Sequence, residues 1–189
     1  MDYKKFWALI DEARNSSESW EEMSDPLVEA LSKHSDEDIM KWGHIFNLYQ
    51  KLSYKDRLWA AAYVINGGCS DDGFDYFRDW LTAQGKDVFL KALRDPDSLV
   101  DSELEVENGS TELEEMLYVD TYAYFKKHNL EQEEYGLYDK EYNKYPLSAE
   151  EIALIESEII YAEEPSHDWS KDEDLLKKIV PKLCKFMDW

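Results

Sequence analysis

Residues 59–85 of this chain read Trp-Ala-Ala-Ala-Tyr-Val-Ile-Asn-Gly-Gly-Cys-Ser-Asp-Asp-Gly-Phe-Asp-Tyr-Phe-Arg-Asp-Trp-Leu-Thr-Ala-Gln-Gly. The first part of this stretch is apolar and rich in alanine, which favours an α-helix. Residues 66–68, Asn-Gly-Gly, end that helix, because glycine adopts positive φ at no steric cost and asparagine is the next best choice. Ser70 or Asp71 can then cap a second helix. The stretch predicts two helices that meet at a tight turn, residues 66–70, which we call the glycine corner.

The second predicted helix has an apolar face and an acidic face. Its apolar residues recur at the spacing of one helical stripe, and they are Phe74, Phe77 and Leu81. Asp71, Asp75 and Asp79 recur at every fourth position, so they share another face. Arg78 lies three positions after Asp75 and can pair with it. Negative charge in the first turn is itself favourable, because it complements the helix dipole.

The polar residues around the glycine corner form the candidate site, and they are Asn66, Ser70, Asp71, Asp72, Asp75 and Arg78. In a functional interpretation they line a small acidic pocket that holds a hard cation through oxygen, or orients a polar ligand. In a structural interpretation the aspartates cap and complement the helix, and Arg78 makes a solvated pair with Asp75. The residues alone leave both interpretations open. We assign no catalytic residue, and we expect no metal ion and no cofactor.

Three segments of the chain carry a resemblance to a known family. Residues 62–78, together with Trp80-Leu81 and Gln84-Gly85, resemble the central motif of a bacterial family catalogued as domain of unknown function 4240. Residues 6–14 resemble its first helix, and residues 169–186 resemble its closing segment. The resemblance implies no particular activity. Residues 131–163 depart from it, because they are rich in tyrosine and glutamate where a shorter connection is expected.

Length and composition predict one folded domain. The chain has 189 residues, of which 43% are hydrophobic and 14% aromatic, enough to build a core. It contains no run of 18 apolar residues that would predict a transmembrane helix. It opens directly into an amphipathic helix with no apolar signal region. We therefore expect a cytoplasmic protein in which Cys69 and Cys184 are free thiols.

The formal net charge of −22 limits the possible partners. Nucleic acid is not expected as a direct ligand, because phosphate binding requires clustered lysine and arginine. The charge is uneven, since residues 101–189 carry 24 acidic and only 9 basic side chains. Such a field can attract a basic protein partner. Plain solubility is the alternative explanation.

The residue types used in catalysis do not form a recognisable motif. None of the histidines has a zinc-binding spacing, and they are His34, His44, His128 and His167. A helix N-terminus would lower the pKa of Cys69, but the neighbouring aspartates would raise it, so we expect an inert thiol. Ser70 does not lie in a nucleophile-elbow sequence.

The whole pattern predicts an all-α, irregular multi-helix single domain with roughly seven to nine helices. We expect a motif-bearing helical core at 1–97, an acidic link at 98–109 and an acidic helical C-terminal half at 110–189. Proline at 181 is expected to bend or break the last helix. No stretch shows the strict alternation of a β-strand.

Two functions from different classes remain. The leading hypothesis is a non-enzymatic binding or regulatory module whose acidic surface engages a basic protein partner. The alternative is an enzyme, a metal-dependent or acid–base hydrolase, that uses the carboxylates at 71, 72 and 75. The sequence does not predict an oligomeric state.

Overall fold

The structure is a computed structural model that describes residues 1–20, 22–102, 111–131, 134–165 and 168–189. These ranges contain eleven α-helices and no β-strand. The helices are α1 (Tyr3–Ser16), α2 (Ser24–Ser32), α3 (Asp36–Ser53), α4 (Asp56–Ile65), α5 (Asp71–Ala83), α6 (Lys86–Arg94), α7 (Val119–His128), α8 (Tyr135–Tyr142), α9 (Ala149–Glu156), α10 (Glu173–Ile179) and α11 (Pro181–Phe186). Short 3₁₀ turns occupy Pro96–Asp101, Glu114–Tyr118 and Trp169–Lys171. The predicted all-α class is confirmed for the described residues.

The described residues contain more helices than the seven to nine predicted, and two places account for the difference. The last predicted helix is broken at Val180 into α10 and α11, because Pro181 begins a new helix. The second place is the tyrosine-rich segment after residue 130, which forms α8. That helix buries only Tyr138, so its sequence lacks the periodic apolar stripe on which helix prediction depends.

An aromatic cluster joins α1, α3 and α6 in the core. Phe6, Trp7, Trp42, Tyr49 and Phe89 are buried, and neighbouring ring centroids lie 4.9–5.6 Å apart. The Nε1–H of Trp7 donates to the hydroxyl of Tyr49 at 3.0 Å. Burial raises the pKa of Tyr49 to about 12. The cluster therefore buries large apolar area while satisfying two of its polar groups.

The glycine corner has the predicted form. Helix α4 ends at Ile65 and α5 begins at Asp71. Gly67 and Gly68 have φ values of 67° and 135°, and the amide of Gly68 donates to the carbonyl of Tyr63 at 2.8 Å. Residues other than glycine rarely adopt positive φ values of this kind. The two glycines therefore allow α5 to begin only a few residues after α4 ends.

The C-terminal helices return to α4. Trp189 donates from Nε1 to the carbonyl of Val64 at 2.9 Å. Asp97, in the 3₁₀ turn after α6, accepts from the amides of Lys182 and Leu183 at 3.0 and 2.8 Å. The first residues of the predicted acidic link belong to this turn, and residues 103–109 of the link lie outside the described ranges. These contacts place α11 against α4 and the turn.

None of the described helices is both long enough and apolar enough to cross a membrane.

Candidate functional site

Asn66 is used to connect the glycine corner to a distant segment. Its Oδ1 accepts from the amide of Thr111 at 3.0 Å and from the hydroxyl of Thr111 at 2.9 Å. Its Nδ2 is buried and has no partner among the described residues. The side chain thus joins two parts of the chain that are 45 residues apart, a role that no local pattern could have shown.

The polar residues at the start of α5 are exposed and act on the helix end. Ser70 is the cap, because its hydroxyl accepts from the amide of Gly73 at 3.0 Å. Asp71 accepts a hydrogen bond from the hydroxyl of Tyr54 at 2.7 Å. Asp72 lies exposed in the first turn. All three positions are those at which acceptors and negative charge stabilise a helix.

The side chain of Arg78 is buried, whereas the structural interpretation expected a solvent-exposed ion pair with Asp75. Its Nε donates to the carbonyl of Phe74 at 3.2 Å, and its terminal nitrogens donate to the carbonyl of Gln50 and to Asp75. The guanidinium lies 4.8 Å from the ring centroid of Tyr54 and 4.9 Å from that of Phe74. The ion pair with Asp75 was expected, but its arginine side is only 6% exposed. Arg78 therefore holds α5 to the end of α3.

The candidate residues fall into two groups rather than one pocket. One group contains Asp71 and Arg78, which are connected by Tyr54: its hydroxyl donates to Asp71 and its ring stacks beside Arg78. Asn66 is engaged elsewhere by Thr111. Across the described ranges, no cluster of three or more His, Cys, Asp or Glu side chains is placed to hold a metal ion. That the six candidate residues contact a ligand stays a prediction.

Asp79 is a buried carboxyl that the candidate site did not include. It is fully buried on α5, and neither carboxyl oxygen has a partner among the described residues. Burial, and then the negative charges of Asp75 and Glu114, raise the pKa of Asp79 to about 8, although Arg78 opposes this shift. The four-residue spacing placed Asp79 on the acidic face of α5. That spacing could not show that packing against neighbouring elements would bury it.

An open cleft lies beside the glycine corner. It has a volume of about 410 Å³. Its aromatic walls are Trp59, Tyr63 and Trp169, and Asp56, Cys69, Asp168 and Ser170 complete its lining. We call it the aromatic cleft. The Nε1–H of Trp59 donates to the carbonyl of Cys69 at 3.1 Å, and the rings of Tyr63 and Trp169 lie 5.5 Å apart. Trp169, from the C-terminal segment, thus forms one wall of the cleft next to α4.

Two groups of the aromatic cleft, Cys69 and Asp168, have shifted pKa values. Burial and then the charge of Glu112 raise the pKa of the Cys69 thiol to about 11, so the thiol is protonated at neutral pH. Hydrogen bonds from Ser170 and the contact with Lys171 lower the pKa of Asp168 to about 2. The cleft therefore offers aromatic surface and carboxylate charge, with no thiolate nucleophile.

The described histidines lie outside this cleft. His44 contacts the carbonyl of Tyr142 at 3.0 Å. His128 lies 3.0 Å from Asp36, and His34 lies 3.9 Å from Asp38. Each is thus engaged within the fold. His167 lies outside the described residues.

Part of the chain matches a protein family. Residues 1–126 match the family described as "Protein of unknown function (DUF4240)". The matched region contains the glycine corner and ends inside α7, so α8–α11 and the resemblance seen in the closing segment lie beyond it. Comparisons with curated proteins and with solved structures give no match.

Proposed function

Because the chain belongs to the family described as "Protein of unknown function (DUF4240)", whose description assigns no activity, we propose a function from the aromatic cleft. The protein is a non-enzymatic binding module of the bacterial cytoplasm. It recognises a basic segment of a protein partner. The cleft receives an arginine or lysine side chain of that segment.

The lining of the aromatic cleft is the observation that carries this proposal. Aromatic ring faces attract cations, and the attraction is strongest for tryptophan. Two of the three aromatic walls are tryptophans, and carboxylates line the same cavity. Asp168 already forms an ion pair with Lys171 at 2.9 Å. We therefore assign Asp56, which is exposed in the first turn of α4, as the carboxylate that pairs with the positive charge of the partner.

The charge of the whole chain supports the same partner. A formal net charge of −22 produces a long-range field that attracts basic molecules and speeds their encounter. Such attraction carries little specificity by itself, because it acts on any cation. The shape and aromatic lining of the cleft supply the specificity.

Calorimetric titration with the peptide acetyl-Gly-Arg-Gly-amide tests the proposal. The control ligand is the same peptide with neutral citrulline in place of arginine. We expect the arginine peptide to bind and the citrulline peptide to bind markedly more weakly. Asp56→Asn should weaken arginine-peptide binding by about twofold to fivefold, the usual size for an exposed charge pair.

The matched control is Asp87→Asn, since Asp87 is also exposed and also lies in the first turn of its helix. Loss of negative charge is the same in both variants, so a general field effect would weaken both equally. Binding that is equal for the two peptides, or equally reduced by the two variants, contradicts the proposal.

A further inference from the structure

A second cavity lies where α3, α7 and α8 meet. Its volume is about 220 Å³. Aromatic and polar side chains line it, among them Tyr118, Tyr135, Tyr138, Tyr142, Asn47 and Asp120. We call it the tyrosine pocket. It shares no lining residue with the aromatic cleft, so the two sites do not overlap.

Asp120 places a buried carboxyl in the wall of the tyrosine pocket. It is 5% exposed. One oxygen accepts from the amide of Thr121 at 2.8 Å and the other from the hydroxyl of Tyr138 at 2.5 Å. Both donors are neutral, and no lysine, arginine or histidine of the described residues forms an ion pair with it. A buried carboxylate is costly unless its charge is compensated, so this wall is suited to a cation from outside the chain.

The backbone of α3 makes room for this carboxyl. Gly43 lies against Asp120, and a Cβ atom at that position would collide with its Oδ2. Any other residue would therefore displace the carboxyl or α7. The position of the Asp120 carboxyl in the pocket wall therefore depends on glycine at residue 43.

The tyrosines supply ring surface around the carboxyl. Tyr138 lies 5.4 Å from Tyr135 and 5.6 Å from Tyr142, measured between ring centroids. Tyr142 is fixed by Asn47, whose Nδ2 donates to its hydroxyl at 2.8 Å. Tyr118 and Tyr135 are 41% and 48% exposed, so solvent reaches the pocket where they lie. The pocket combines fixed inner rings with accessible outer ones.

We propose that the tyrosine pocket binds a small alkylammonium group, with the tyrosine rings around it and the carboxylate of Asp120 as its counter-ion. Clustered aromatic rings recognise such cations through their negative faces. The volume is below the roughly 300–1,000 Å³ typical of sites for drug-sized ligands, so it suits a head group rather than a larger molecule. Burial raises the pKa of Asp120 to about 6, which leaves the group ionised at pH 7.5.

The tyrosine pocket is built partly from residues inside the family match and partly from residues beyond it. Asp120 lies within residues 1–126, which match the family. Tyr135, Tyr138 and Tyr142 all lie on α8, beyond the match. The carboxyl thus comes from the matched region, and α8 supplies three of the surrounding rings.

Titration with tetramethylammonium chloride at pH 7.5 and constant ionic strength tests this site, with tert-butyl alcohol as a neutral ligand of similar shape. We expect the wild-type protein to bind the cation and not the alcohol. Asp120→Asn should reduce cation binding by at least tenfold. Tyr135→Leu keeps apolar bulk and changes a half-exposed residue, so it remains informative if Asp120→Asn does not fold. Its expected loss is about threefold to thirtyfold.

The matched control is Tyr161→Leu, since Tyr161 is 39% exposed but does not line the pocket, and its ring contacts Lys55, whose Nζ lies 4.4 Å from the ring centroid. This variant should bind tetramethylammonium as the wild type does. Equal binding of the alcohol, no binding of the cation, or an equal loss in Tyr161→Leu and Tyr135→Leu would overturn the proposal.

A second series identifies the source of the ammonium group. Butylammonium represents a free amine, and acetyl-Gly-Lys-Gly-amide represents a lysine of another protein. Tighter binding of butylammonium assigns the pocket to small amines, and tighter binding of the peptide assigns it to a lysine side chain. Failure of both would overturn the proposal, whatever the outcome of the arginine-peptide experiment at the aromatic cleft.

Discussion

Arg78 belongs to the interior although it lies among the polar residues of the family motif. Its carboxylate partner Asp75 remains 48% exposed, while the arginine side chain is almost completely covered. The covering residues are Tyr54 and Phe74, whose rings lie on the guanidinium. Arginine suits this position better than lysine, because its planar group can stack on rings and donate in several directions at once. The residue therefore stabilises the arrangement of α3 and α5.

Asp79 should make stability depend on pH. Folding raises its pKa from 3.8 to about 8, so the folded protein binds this proton more tightly than the unfolded chain does. The stability contributed by the protonated group is fully present below pH 3.8 and is lost as the pH rises to about 8. Asp79→Asn cannot ionise, so it should lack this loss.

Urea unfolding of the wild type and Asp79→Asn at pH 5 and pH 8 measures this effect. The two proteins are compared at each pH, so contributions of the other titrating groups cancel. Relative to the variant, the wild type should lose free energy of unfolding between the two pH values, on the order of a few kcal/mol. A difference that is the same at both pH values would show that Asp79 does not titrate in this range.

The free backbone amides at the N-terminus of α11 are bonded by a residue far away in the chain. Asp97 accepts from the amides of Lys182 and Leu183, which otherwise have no partner within their own helix. Asp97→Ala should lower the free energy of unfolding by about 1–3 kcal/mol, because it leaves buried donors unpaired. Asp95→Ala is the control in chemical denaturation, because Asp95 is exposed nearby. An equal effect of both changes would contradict the capping role.

The same elements show what sequence reasoning can and cannot predict here. Features set by neighbouring residues were predicted correctly, including the glycine corner and the break at Pro181. Features set by distant residues were not, because no local pattern encodes them. The bonds of Asn66 to Thr111 and of Asp97 to α11 are examples. The walls of the aromatic cleft likewise come from segments about 110 residues apart along the chain.

Two electrostatic effects act on the stability of this protein in opposite directions. Ion pairs such as Lys86–Glu158 at 2.8 Å and Lys41–Glu151 at 3.0 Å stabilise the fold, but partly exposed pairs contribute only about 0–1 kcal/mol each. A net charge of −22 on one chain produces repulsion between many carboxylates at once. Because this repulsion acts over longer distances than the attraction within an ion pair, added salt should weaken the repulsion more than the attraction.

Raising NaCl from 0.01 to 0.15 M should therefore stabilise this protein. The Debye length falls from about 30 Å to about 8 Å over that range, which screens charges across the molecule while contacts near 3 Å are less affected. A gain of about 1 kcal/mol would raise Tm by about 2–4 °C for a chain of this length. KCl at the same concentrations is the control and should give the same shift, since the effect is screening and not ion binding. A Tm that falls with either salt would show that the ion pairs outweigh the repulsion.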